Sequence, residues 1–219
     1  MKIQDLALEK KDKGGRARAT VVWEDCDQPD KEIFIQAPDR LGGSLKADAN
    51  AFLTGCIIPA LHFGEKRIAV NGTVCPFLME GLAAVMSLMR VWTRQRYKPL
   101  AIEPAGISKS ADNAGEPGRH AAMFYSGGID SIAALWRNMA QYPKSHPARV
   151  RDCFFVHGFD IGGVPARGMK YHVFDRGVAA MERVAAAAGV NTIAVYTNIR
   201  HLCDDRDLWL NRFFGAVLA

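Results

Sequence analysis

Apolar and polar positions alternate over residues 19–24 and again over 32–37, either side of the polar run Asp25-Cys26-Asp27-Gln28-Pro29-Asp30. That two-residue period predicts a β-hairpin. Over residues 47–63 apolar side chains recur every three or four positions and stop at Gly64, which predicts a helix that Pro59 kinks or splits. Residues 67–70 predict a short strand running into Asn71-Gly72. Residues 78–97 predict a long helix with an apolar stripe of Leu82, Val85, Met86, Met89 and Trp92.

Beyond residue 120 the rhythm changes. Short apolar runs at 121–125, 153–156 and 192–196 predict strands, separated by helical patterns over 131–142 and 171–188, and a further helix begins at 208. Such alternation implies right-handed crossovers and a parallel sheet covered on both faces. The expected fold class is α/β, with a doubly wound parallel sheet preceded by a small α+β domain. Residues 106–118, rich in Ser, Gly, Asn and Pro, read as a linker between an N-terminal domain over 1–105 and a second domain over 119–219. The pattern stops after three strands, in a helix with no stop signal. The expectation is therefore a truncated sheet, completed by a longer chain or by a partner subunit.

Composition narrows the class. The 219 residues are 49% hydrophobic and 23% charged, which excludes a disordered or fibrous chain. No stretch approaches the roughly 20 apolar residues of a membrane span, and the polar start Met1-Lys2-Ile3-Gln4-Asp5 does not read as a secretory signal. Five cysteines, an odd number without a C-x-x-C pair, point to a reducing cytoplasm, with no disulfide framework and no zinc ribbon. Residues 1–118 hold 16 Lys+Arg against 15 Asp+Glu, and residues 119–219 hold 12 against 8. The basic excess of the second part suits a phosphate-bearing ligand and is too small to indicate nucleic-acid binding by itself.

The chemistry concentrates in Ser126-Gly127-Gly128-Ile129-Asp130-Ser131, between an expected strand and an expected helix. Paired glycines let the backbone turn tightly and approach a ligand closely, and the helix then aims its free N–H groups and positive dipole end above the loop. Ser126 and Ser131 add hydroxyl donors, and Asp130 adds a carboxylate suited to a magnesium ion bridging phosphates. No lysine stands where a Walker A loop requires one.

This hexapeptide resembles the Ser-Gly-Gly-x-Asp-Ser/Thr signature of the PP-loop ATP pyrophosphatase superfamily, of adenine nucleotide α hydrolase-like fold. The resemblance covers roughly residues 120–219. It implies ATP and Mg2+ as cofactors, with Ser126, Gly127, Gly128, Ile129 and Ser131 around the departing pyrophosphate and Asp130 as metal ligand. It also implies cleavage between the α and β phosphates. A small-molecule carboxylate, carbonyl or amide is adenylated with pyrophosphate release, and an amine or ammonia then displaces AMP. That is a ligase- or synthetase-type enzyme.

Two further strand ends fall where ligands bind in open α/β sheets. His157 and Asp160 follow the second strand, and the same resemblance implies them as candidates for the adenine, ribose or metal; His157 reads equally as a structural histidine, and Asp160 reads first as a turn residue. Asn198 and Arg200 follow the third strand and are candidates for phosphate or the adenylated substrate, against a solvated loop. The alternatives are sulfur transfer to tRNA by the same adenylation, with Cys203 as sulfur carrier, and a non-catalytic ATP- or AMP-binding module. Expected partners are ATP and a small-molecule substrate, with tRNA as the alternative, no membrane, and a homo-oligomer or partner subunit.

Overall fold

A computed structural model describes residues 1–11, 14–41, 45–108, 120–211 and 214–218. Most of the expected linker, residues 109–118, lies outside the described residues. In chain order the elements are β1 (Lys2–Lys11), β2 (Gly14–Val22), β3 (Lys31–Ala37), α1 (Ala49–Phe63), β4 (Arg67–Val74), α2 (Pro76–Trp92) and β5 (Ala101–Ile107). Then follow β6 (Ala121–Phe124), α3 (Ile129–Gln141), β7 (Val150–His157), α4 (Tyr171–Ala188), β8 (Asn191–Thr197), α5 (Arg206–Asn211) and α6 (Phe214–Leu218). The protein is α/β. Among the described residues no helix is long and apolar enough to cross a membrane.

The chain forms two compact units, Met1–Ala111 with Asn198–Ala219, and Asp112–Thr197. In the first, β5, β4 and β1 run parallel, while β2 and β3 continue the sheet antiparallel. The expected hairpin is β2–β3, but β1 and β5 escape the alternation. Asp5 adopts φ 55 and the β1–β2 register shifts between Gln4 and Ala7, so a bulge interrupts the two-residue period. Edge strand β5 carries Pro104 and Gly106, which an edge tolerates. Strand β4 continues through Asn71-Gly72 to Val74, four residues beyond the expected strand, with a register shift between Val70 and Thr73.

Helix α1 is unbroken at Pro59, contrary to expectation. Phe52, Leu53, Cys56, Ile57, Ile58 and Ala60 are all fully buried, and that burial outweighs the one hydrogen bond a proline removes. Asp48 caps the helix by accepting from Asn50 N at 2.8 Å, and Gly64 ends it at φ 80. Helix α2 ends at Trp92, five residues earlier than the pattern suggested. Trp92 is 54% exposed and does not join the buried stripe of Leu82, Met86 and Met89.

An ionic cluster closes one end of this unit. The Met1 ammonium contacts Glu24, Glu65 and the carbonyl of Arg67, and Arg67 also pairs with Glu24 at 2.9 Å. The Arg67 hydrogen bond, helped by the Met1 ammonium and Lys2, holds the Glu24 carboxyl down at about 2. A lowered carboxylate pKa stabilises the fold above the unfolded value of 4.5, and that contribution is lost as pH falls toward 2. Melting temperature should therefore drop across that window and drop less steeply in Glu24→Gln. Identical slopes for the two proteins would contradict this assignment.

In the second unit β6, β7 and β8 are parallel, with Met123 beside Cys153 and Phe124 beside Phe154 in register. Tyr125, Leu135, Val150 and Cys153 form its core, joined by Met139 from α3 and by Met181, Val184 and Ala188 from α4. Both helices thus serve one face of these three strands. The expected two-faced, doubly wound sheet is not present within this unit, because each new strand is added on the same side of the last. Crossovers of constant hand then return to the same face, and double winding needs a reversal of strand order.

Residues 198–219, which the alternation assigned to the second domain, belong to the first unit. Leu208, Trp209 and Phe214 are buried there, and α6 packs on α1.

Candidate functional site

Chain reversal at the end of β6 builds the loop. Tyr125 N donates to Phe154 O at 2.9 Å, extending the ladder one residue past the strand. Gly127 then turns the chain at φ 75, a left-handed conformation costly for any residue with a Cβ. A Cβ there would also stand 2.6 Å from Met181 Sδ. Gly128 returns to extended geometry as the N-cap residue of α3.

The two serines brace the turn. Ser131 Oγ donates to Gly128 O at 2.8 Å, Ser126 Oγ donates to Ser131 Oγ at 3.4 Å, and Gly128 N donates to Ser126 Oγ at 3.3 Å. The first-turn amides of α3 lack intrahelical acceptors, and the helix dipole adds positive potential at the same end. Asp130 is exposed in that first turn, and Ile129 is 82% exposed, so only its backbone serves the loop.

Beside the loop lies a cleft of about 290 Å³, at the lower limit of ligand pockets. Its walls include Ser126 and Ser131, the aromatic rings of Phe124, Phe154 and Phe159, and Asp160. The Phe124 ring centroid is 5.9 Å from Phe154 and 6.4 Å from Phe159, all three tilted rather than stacked. Phe124 and Phe154 sit on the sheet face opposite Met123 and Cys153, by the alternation of side chains along a strand. Reading these runs as core missed the wall; the legible signal was aromatic residues at consecutive strand ends. Gly158, at the end of β7, has no room for a side chain, because a Cβ would fall 1.7 Å from Thr197 O.

The remaining candidates are placed elsewhere. His157 is 1% exposed and does not line the cleft. Its ring stacks on Tyr171 at 4.6 Å, meets Phe174 edge-on at 5.1 Å, and its Nε2–H donates to Met169 O at 2.6 Å. It therefore pins the loop between β7 and α4 instead of meeting a ligand. Asn198 belongs to the first unit, where its Oδ1 accepts from Phe34 N at 2.8 Å and its Nδ2 donates to Glu32 O at 2.9 Å. Arg200 is 5% exposed, with its guanidinium 4.3 Å above the Trp209 ring. Both side chains hold the segment after β8 in place.

Among the described residues no three His, Cys, Asp or Glu side chains form a metal-binding group. Magnesium needs no such cage when phosphates supply most of its ligands, so Asp130 or Asp160 with a phosphate chain fits its chemistry. Cys203 is 5% exposed, and burial raises its thiol pKa. A thiol held protonated is a poor nucleophile. Comparison of the chain with protein-family models, curated proteins and solved structures finds no match.

Proposed function

We propose that this chain binds Mg2+·ATP at Ser126–Ser131 and adenylates a small-molecule carboxylate, carbonyl or amide. One observation carries the reading: a glycine turn leads into a helix N-terminus, and its two serines, Ser126 and Ser131, also line an aromatic cleft. A nucleotide presents the matching pair of groups, an anionic phosphate chain and a flat apolar base. The resemblance of residues 126–131 to the PP-loop signature supports the same conclusion.

In this reading the substrate oxygen attacks the α phosphorus, the bond to the bridging oxygen breaks, and pyrophosphate leaves. An amine or ammonia then adds to the activated carbon and AMP departs with the bonding pair. The chain's own part is electrostatic. Amides of Gly128 and the first turn of α3, with the Ser126 and Ser131 hydroxyls, hold the phosphates where negative charge accumulates. Phe124, Phe154 and Phe159 enclose the base and exclude water. Asp160 on the cleft wall, and Asp130 exposed in the first turn of α3 outside that wall, would hold a magnesium ion, which would neutralise phosphate charge. No feature of the site favours sulfur transfer, for which a buried Cys203 is ill suited.

Asp130→Asn, at an exposed first-turn position, should fold normally and lose roughly 10-fold or more of the affinity that Mg2+ adds for a non-hydrolysable ATP analogue. Equal magnesium enhancement in variant and wild type would remove Asp130 from the metal site. Screening carboxylates and amides for joint release of AMP and pyrophosphate then identifies the substrate.

A further inference from the structure

Among the described residues β5 and β6 are both edge strands, and the two edges differ. Strand β5 carries Glu103, Pro104 and Gly106, which discourage further pairing. Strand β6 runs Ala121-Ala122-Met123-Phe124, without charge, proline or glycine. On the side of β7, Ala121 N donates to Pro147 O at 3.0 Å and Tyr125 N to Phe154 O at 2.9 Å. Backbone groups alternate in direction along a strand, so the N–H and C=O of Ala122 and Phe124 point away from β7, toward the edge.

Helix α3 defines what this edge receives. Leu135 and Met139 turn toward the core of the unit. Asn138, about 80° to one side of their mean direction, donates to Ala148 O at 2.9 Å and accepts from Val150 N at 2.8 Å, so that flank faces β7. Trp136 lies about 80° to the other side, with Ile132 and Ile129 along the same flank, and this flank therefore overhangs the β6 edge. It is apolar and bare: Ile129 is 82% exposed, Ile132 40% and Trp136 70%. A lone peptide strand added to β6 would leave Trp136 uncovered, because it brings nothing above the sheet. A further parallel strand of the same chain would reverse the strand order, and its right-handed crossover would run over the opposite face. The occupant that fits brings an apolar helix on the same face as α3, and a second copy of this chain does so.

We propose that two copies of this chain pair through β6, antiparallel, about a two-fold axis normal to the sheet at Met123. In that register Ala122 of each copy faces the partner's Phe124, a small side chain against a large one. These two residue pairs exchange four backbone hydrogen bonds and satisfy every outward group of Ala122 and Phe124. Helix α3 links β6 to β7 and lies above both, so the two α3 helices come to rest two strand spacings apart. That is about 10 Å, the distance at which helices pack. Met123 and Leu135 join one core, so the axis crosses α3 near its midpoint, where Ile132 and Trp136 of the two copies meet. One short edge and one helix flank supply less than the roughly 800 Å² per partner of a standard stable complex, so the dimer is reversible.

Sedimentation velocity on the whole chain between about 5 µM and 1 mM tests this. The wild type should shift from monomer toward dimer. Trp136→Glu places a charge on the exposed flank, and Ala122→Pro removes an outward N–H, a change that an edge strand tolerates. Both variants should stay monomeric, with the melting temperature of the dilute wild type. Amide hydrogen exchange provides a readout that general stickiness would not move. The amides of Ala122 and Phe124 should gain protection as concentration rises, while those of Ala121 and Tyr125, already bonded within the unit, should change little. A wild type that is monomeric throughout, an undiminished dimer in either variant, or a dimer that leaves Ala122 and Phe124 unprotected would each overturn the proposal.

Discussion

Glu65→Ala should cost the fold about 3 to 5 kcal/mol, the largest stability loss expected of any single substitution at a charged residue here. Glu65 is 4% exposed, and its two oxygens serve four donors. One contacts the Met1 ammonium; the other accepts from Glu24 N at 3.1 Å, from Asp25 N at 3.0 Å and from the Cys26 thiol at 3.6 Å. Removing the carboxylate leaves a buried ammonium with Glu24 as its one remaining carboxylate partner and two backbone amides without their acceptor, and each amide carries its full desolvation cost. Glu65→Gln keeps an acceptor oxygen for the amides and lacks the charge, so it should fall between Ala and wild type. Denaturant midpoints with unchanged slope measure the loss. A loss below about 1 kcal/mol for Ala would show that the cluster does not hold the first unit together.

Gly127→Val should abolish nucleotide binding, weakening it by about 100-fold or more, while the strand and helix on either side persist. Two independent constraints act at this position. The φ of 75 disfavours any Cβ, most of all a β-branched one. The space a Cβ would take is filled by Met181 Sδ at 2.6 Å and Cε at 2.8 Å, the flexible end of a side chain packed against the cluster of Tyr125 and Leu135, so that side chain must shift as well. Relief of the backbone strain moves the turn, and in the proposed reading the turn sets the direction of the amides that would face the phosphates. A displacement of about 1 Å at such a site is enough for a loss of that size. Affinity within a few-fold of wild type would mean that the phosphates do not rest on this turn.

How much of this was legible in the sequence depends on whether the determinants are local. The turn at 126–131 was readable because six consecutive residues carry the glycines and hydroxyls that the turn uses. Strands β6, β7 and β8 were readable because each is a short continuous apolar run bounded by helical patterns. Strand β1 was not, because its bulge at Asp5 breaks the period that reveals a strand, nor was β5, whose proline argues against one. Asn198 and Arg200 look like ligand-facing polar residues at a strand end. Their partners are Phe34, Glu32 and Trp209, and the first two stand more than 160 positions away, where no local pattern reaches. His157 fails as a candidate for a related reason: Met169 and Tyr171, which occupy it, are brought close only by the fold of the loop after β7. The aromatic cleft was hidden by chemistry itself, since a phenylalanine in an apolar strand reads as core until the helices are seen to cover the other face.

The most direct measurement is calorimetric titration of the whole chain with a non-hydrolysable ATP analogue, with and without Mg2+. Saturable binding near one nucleotide per chain, strengthened by magnesium and lost in Gly127→Val, is the expected result. Absence of binding, or binding that Gly127→Val leaves intact, would contradict the assignment of Ser126–Ser131 as the phosphate site.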